Sequence, residues 1–202
     1  MSSKRKYSSN LRESQAADTR SKILGSARKL LAKEGFSGTT IVAIAKDAGV
    51  SPQTIYAVFG NKGAIVAGMM TYLESAAGES EFVENLQREP DPRGQLRVFT
   101  RWIQNLFDSG SDIFSVVMQS PTQPDLAKIR QNGDARRLMG CKQLAQQWDA
   151  SGALRISAEE AANQLWLASS FETYQLSLVN LGWDSARYES WLYETAERLL
   201  FA

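Results

Sequence analysis

The sequence predicts an all-α chain in which a unit of three short helices precedes a larger helical bundle. Three observations carry this. Apolar residues recur at intervals of three and four from Asp18 to the C-terminus. Glycines, prolines and hydroxyl residues stand at the ends of those runs, where helices start and stop. Neither internal repeats nor an alternating period-two run suggests a strand. With 202 residues and 43% hydrophobic content, the chain is long enough to bury a substantial core without staples.

The first eighteen residues, MSSKRKYSSNLRESQAAD, are polar and basic and are expected to form a flexible arm. From Asp18 or Thr19, placed as a cap, Ile23, Ala27, Leu30 and Leu31 form the stripe of a first helix that stops at Gly35. Gly38-Thr39-Thr40 then offers a hydroxyl to the free N–H groups of a second, two-turn helix with Ile41, Ile44, Ala45 and Ala48 inward. Gly49 ends it. Ser51 repeats the capping signal, with Pro52 at the first helical position, and Ile55, Val58 and Phe59 lead to a stop at Gly60. Two short helices joined by Gly49-Val50-Ser51 form a helix-turn-helix unit.

A fourth helix is expected from Asn61 into the high seventies, followed by a break at Arg88–Arg93, where two prolines disfavour helix in their predecessors. A fifth, with Leu96, Phe99, Ile103, Leu106 and Phe107, is expected to end at Ser109-Gly110-Ser111. A short apolar segment, Ile113 to Met118, leads to a second break at Pro121 to Pro124. A long amphipathic helix then reaches about Ala150, and the last two helices span roughly 157–181, opened by the Ser157–Glu160 capping box, and 184–202. The chain thus divides into an arm 1–18, a helix-turn-helix unit 19–64 and a body 65–202.

The charge is divided in the same way. Residues 1–62 hold 11 Lys/Arg against 4 Asp/Glu, a net of +7, while residues 63–202 hold 12 against 18, a net of −6. A basic front on an acidic body reads either as the common footprint of a nucleic-acid-binding module joined to a part that does not touch nucleic acid or as an ordinary solvated surface. Lys4, Arg5, Lys6 and Arg12 of the arm either add phosphate contacts or only solubilise it.

Catalysis is not expected. The chain has no histidine, its one cysteine, Cys141, has no imidazole partner, and no glycine-rich phosphate loop is present. No metal site or cofactor is expected either. The carboxylates Glu159 and Glu160 sit at a helix start, where they complement the dipole. A lone cysteine, the lack of a signal peptide and the lack of a long apolar run lead to the expectation of a cytoplasmic protein without a membrane partner.

The segment TTIVAIAKDAGVSPQTIYAVFGNK, Thr39 to Lys62, resembles the DNA-binding signature of the tetracycline-repressor (TetR) family. Thr at the start of the second helix, Ile-Ala, Ala-Gly-Val-Ser, Thr-Ile-Tyr, Phe and Lys all fall in register. The resemblance covers roughly residues 19–65. Two departures stand out: Gln53 replaces a frequent Gly, and Ala57-Val58 replaces a Tyr-His pair. They alter the surface offered to bases, so operator sequence does not transfer.

The resemblance implies that the third helix enters the major groove of double-stranded DNA. On that helix Ile55 and Phe59 are apolar and expected inward, against Ile41, Ile44 and Ala45, which leaves Pro52, Gln53, Thr54 and Ala57 outward. Gln53 is the candidate for direct readout, since its amide can donate and accept at adenine. Thr40, Ser51, Thr54, Tyr56 and Lys62 are candidates for phosphate contact. Thr40 and Ser51 also read as helix caps, and Tyr56 as an aromatic packed on the first helix.

The resemblance further implies a homodimer on a palindromic operator, with two recognition helices about 34–36 Å apart. Leu165, Phe171, Tyr174, Leu178, Trp191 and Leu199 are the interface candidates, because the last two helices, with Leu176 and Leu181 added, are apolar on more than one face. In the middle helices Phe99, Trp102, Phe107, Phe114, Met118 and Trp148 read either as core or as the wall of a pocket for a largely apolar small-molecule effector. Arg97, Arg101 and Gln104 nearby would suit an acidic ligand or plain solvent. The resulting expectation is a ligand-released repressor; the alternative is a helical dimeric interaction module without specific DNA binding.

Overall fold

The computed structural model describes residues 2–118 and 123–202, with side chains from Ser14 onward. It contains ten helices among those residues: α1 Ser2–Gly38, α2 Ile41–Ala48, α3 Pro52–Phe59, α4 Lys62–Ala76, α5 Glu79–Arg88, α6 Pro92–Met118, α7 Pro124–Ala150, α8 Ala158–Ala168, α9 Phe171–Leu181 and α10 Ser185–Leu200. Their extended pairing is limited to one bridge, Leu154 with Phe201. No helix among the described residues is long and apolar enough to cross a membrane.

The punctuation of the first four helices follows the hydroxyl and glycine pattern. Gly35 takes φ 68 and ψ 177, a conformation that side-chain-bearing residues avoid, and breaks α1 three residues before its end. The Thr40 hydroxyl accepts from the Ala43 N–H, Ser51 from Thr54, and Asn61 from Ala64. Gly49, at φ 68 and ψ 33, closes α2. Ile23, Ala27, Leu31, Ile44, Ala45 and Ile55 are buried together as the core of the first unit. Complete burial of Ile55 contributes about 2 kcal/mol.

Four expectations about the helices are corrected. The arm is not separate: α1 runs back to Ser2, so neither Asp18 nor Thr19 caps it, and the Thr19 hydroxyl instead donates to the Gln15 carbonyl at 2.8 Å. Eight of the arm's eighteen residues are Lys, Arg, Glu, Gln or Ala, good helix formers, and five are serines; adding them to an established helix needs no new nucleus and no apolar stripe. The possible contacts of Lys4, Arg5, Lys6 and Arg12 lie outside the described side chains. The short α5 was missed, although Phe82, Val83 and Leu86 mark its apolar edge.

Ser109-Gly110-Ser111 does not end a helix; α6 passes straight through it. Gly110 is buried where α4 crosses, and a Cβ there would lie 2.7 Å from Leu73 Cδ1, so the glycine serves close packing instead of a turn. The stretch 157–181 is two helices, divided at Ser169-Ser170. The Ser170 hydroxyl caps α9 by accepting from Thr173 N–H. The break expected at Pro121 to Pro124 falls partly outside the described residues, and α7 begins at Pro124.

In the body, α7 packs along α8 and α6 along α10, with α6 also meeting α1, α4, α5 and α7. Leu96, Ile103, Ile113, Trp148, Leu165, Tyr188 and Leu192 fill the centre. The chain end is tied back, since Arg155 N–H donates to Leu200 O and Ala202 N–H to Ala153 O. The first unit meets the body through α1, which packs on α6, and through α4, which packs on α1 and α3 and on α5, α6 and α7, with Asp125 of α7 beside Gly63.

Candidate functional site

On α3, burial of Ile55 determines which residues face water. Gln53 and Ala57 are exposed, Pro52 and Thr54 half-buried, and Tyr56 is 55% exposed. Ser51 Oγ accepts from the Thr54 N–H at 3.0 Å and lies 2.9 Å from Thr54 Oγ1. Thr40 is exposed while it caps α2, so its hydroxyl and that of Ser51 retain capacity for an outside partner. The exposed patch of this unit therefore carries an amide, several hydroxyls, a phenol and small apolar groups. Val42 on α2 adds an exposed apolar side chain that sequence reasoning missed; it follows Ile41 but stands off the buried stripe.

Two assignments on this unit change. Lys62 does not extend to solvent: its ammonium donates to the Thr39 carbonyl at 2.6 Å and to the Phe36 carbonyl, and lies 4.2 Å from the centre of the Phe36 ring. It closes the loop between α1 and α2, and burial lowers its pKa. These contacts give Lys62 a structural role beside the phosphate contact expected of it. Phe59 is half-buried under the Arg20 guanidinium, 4.4 Å from the ring centre, and abuts α4 at Gly68.

The body contains a cavity of about 490 Å³ between α4, α5, α6 and α7. Phe99, Trp102, Phe107, Phe114 and Met118 line it, joined by Phe171 and by Phe82, Val83 and Leu86 of the unforeseen α5. Trp148 does not. Its indole N–H donates to Gln95 Oε1 at 2.8 Å and its ring packs on Phe201, so it is core. Arg97, Arg101 and Gln104 are also absent from the wall; Arg97 lies over Tyr193 and Gln104 donates to Ser185.

The arginines of the rim are paired with carboxylates. Arg136 forks onto Glu74 with distances of 2.6 and 3.0 Å, Arg130 meets Glu172 at 2.6 Å, and Arg137 lies 3.5 Å from Asp134. The sequence showed these charges, but pairing across α4, α7 and α9 depends on the tertiary arrangement.

The expected interface residues separate by burial. Leu165, Phe171 and Tyr174 belong to the protein's own core, and the Tyr174 hydroxyl donates to Asp108 at 2.5 Å. Desolvation and that carboxylate hold its pKa well above the usual tyrosine range. These three are unavailable to a partner. Leu178 and Trp191 are half-buried and Leu199 is exposed. Leu167, Leu176, Val179 and Leu181 on α8 and α9 are exposed as well, Val179 to 73%. Leu167 and Val179 were not foreseen, because α8 and α9 read as one helix when their break is missed.

Comparison with known proteins agrees with this geometry. Residues 23–69 match the family model of bacterial regulatory proteins, tetR family. The repressor NalD of Pseudomonas aeruginosa, the secondary repressor of the MexAB-OprM multidrug efflux pump, superposes with a TM-score of 0.72 at 21% identity, covering 93% of this chain and 98% of its own. A structure from Saccharomonospora viridis solved with choline gives 0.74 at 20% identity, covering 92% and 99%. One from Syntrophomonas wolfei, assigned to the TetR family, gives 0.77 at 15% identity, covering 90% and 94%. No curated protein matches in sequence.

Proposed function

The DNA-binding segment of this chain is that of the bacterial regulatory proteins of the tetR family, and from that premise we propose that the protein is a dimeric repressor released from a palindromic operator by a largely apolar effector. The observation that carries the reading is the position of α4. It packs on the recognition helix α3, with Phe59 against Gly68, while its Met70 and Glu74 line the cavity. An occupant that favours one placement of α4 over another thereby biases the placement of α3, which is what coupling between two sites requires.

Gln53 reads bases, and Thr40, Ser51, Thr54 and Tyr56 hold phosphates, with Pro52 and Ala57 in contact with the groove wall. The exposed apolar residues of α8 and α9 bury against the same residues of a second copy, since a patch of this kind on a soluble chain marks an interface. The cavity supplies the effector site; a ligand in the Saccharomonospora viridis structure and the repressor role of NalD support the same reading by analogy of fold.

The test is binding of the purified protein to its own upstream intergenic DNA against unrelated DNA, across a salt series. Selective, salt-sensitive binding by a dimer is the expected outcome. Weak binding that is equal on both DNAs would replace this reading with that of a helical interaction module.

A further inference from the structure

Within the cavity wall, Trp102 carries an unmet requirement. Its indole Nε1 is shielded from solvent, and among the described residues it has no hydrogen-bond acceptor. Elsewhere in the body, the half-buried indole of Trp166 donates to the Asp134 carbonyl at 3.2 Å, and the buried indole of Trp148 donates to Gln95. A buried donor left unmade is costly, so the usual outcome is that something accepts from it. We propose, building on the cavity as effector site, that the effector is an uncharged apolar molecule bearing a hydrogen-bond acceptor such as a carbonyl, and that Trp102 Nε1–H donates to it.

The charge pattern argues for an uncharged molecule. Each of the three rim arginines already faces a carboxylate, so an anion would have to displace an existing pair. Glu79, a rim carboxylate without a cation among the described residues, is exposed in the first turn of α5, where the helix dipole favours it without any ligand. The rest of the wall is uncharged, mostly aromatic and aliphatic with the amides of Gln87, Gln143 and Gln147 among it.

Access to the indole edge requires the wall to shift, and the wall beside Trp102 is formed by a helix without buried residues. The Phe82 ring stacks on the indole with centroids 4.5 Å apart. Phe82 belongs to α5, none of whose ten residues is buried, and which is entered through Gly78 in the left-handed conformation without a side-chain cap. An occupant beneath α5 gains apolar contact with Phe82 and Leu86 as it satisfies the donor.

Two probes of matched shape test this: 2-acetylnaphthalene, which has a carbonyl, and 2-ethylnaphthalene, which lacks one. Calorimetric titration of the wild-type chain should show the acetyl compound bound about tenfold more tightly. In Trp102→Phe, which keeps the stacked ring and loses the donor, the ratio should fall to about one while the ethyl compound binds as before. Equal binding of both probes to wild type, or a ratio that survives Trp102→Phe, would overturn the inference and leave the cavity reading intact. Tighter binding of 2-naphthoate or of 2-(aminomethyl)naphthalene than of the acetyl compound would overturn it too. If none of the four binds, the cavity reading itself falls, and this inference with it.

Discussion

Arg28 of α1 holds Asp112 of α6 through two hydrogen bonds of 2.8 Å, and the same guanidinium donates to the Ser109 carbonyl at 2.6 Å. The fork joins the first unit to the body at a point separate from α4. Both side chains are about one-third exposed, so solvent screens the pair and its coupling is expected at about 1 kcal/mol. A double-mutant cycle of Arg28→Ala and Asp112→Ala, read by thermal unfolding, measures it. Strict additivity would show that the fork contributes nothing.

Lys62→Met keeps the aliphatic stem over Phe36 and removes the two bonds to the Phe36 and Thr39 carbonyls. The expected result is a loss of about 1–3 kcal/mol in stability, with the salt slope of DNA binding unchanged. A slope lower by one unit at unchanged stability would return Lys62 to a phosphate role.

Gly110→Ala forces a methyl to within 2.7 Å of Leu73 Cδ1 at the crossing of α4 and α6. Overpacking of this kind costs about 1–3 kcal/mol. Combining it with Leu73→Ala, which vacates that space, should give a double variant less destabilised than the sum of the two singles in denaturant titration.

Cys141 is buried, and desolvation pushes its thiol pKa up to about 12 from an ordinary 9.0. Above pH 9 the unfolded chain loses this proton while the folded chain keeps it, so the folded state binds more protons and stability falls as pH rises. The contribution of this one group is at most about 1.4 kcal/mol per pH unit. Between pH 9 and 11 Cys141→Ala should show a shallower fall than the wild type in urea midpoint measurements; parallel curves would contradict the assignment.

Val179→Glu places a charge on the most exposed of the apolar residues of α9. Sedimentation at micromolar concentration should show the monomer, with the helical content unchanged. A variant that remained dimeric would move the interface away from α8 and α9.

Gln53→Ala should weaken operator binding by about 1–3 kcal/mol and relax preference at one base position, without loss of binding to unrelated DNA. Uniform weakening on every sequence would instead make Gln53 a backbone contact.

The first unit was legible in the sequence because its signals are local. Ser51 lies three residues from the N–H it caps, Gly49 supplies its own left-handed turn, and Ile55 shows its face by its spacing from Phe59. Where a choice depended on what lay across the fold, local signals failed. Gly110 looks like a stop until Leu73 is seen against it; Trp148 looks like a pocket residue until Gln95 and Phe201 occupy it; Lys62 looks free until two carbonyls and a ring surround it. Phe171 and Tyr174 look like interface until α6 buries them. Helix type and the caps at Thr40, Ser51 and Asn61 were thus determined by the sequence alone, since each depends on residues within a turn of one another. The cavity, the Trp102 donor and the exposed face of α9 were decided only by tertiary packing, because burial depends on which distant side chain arrives.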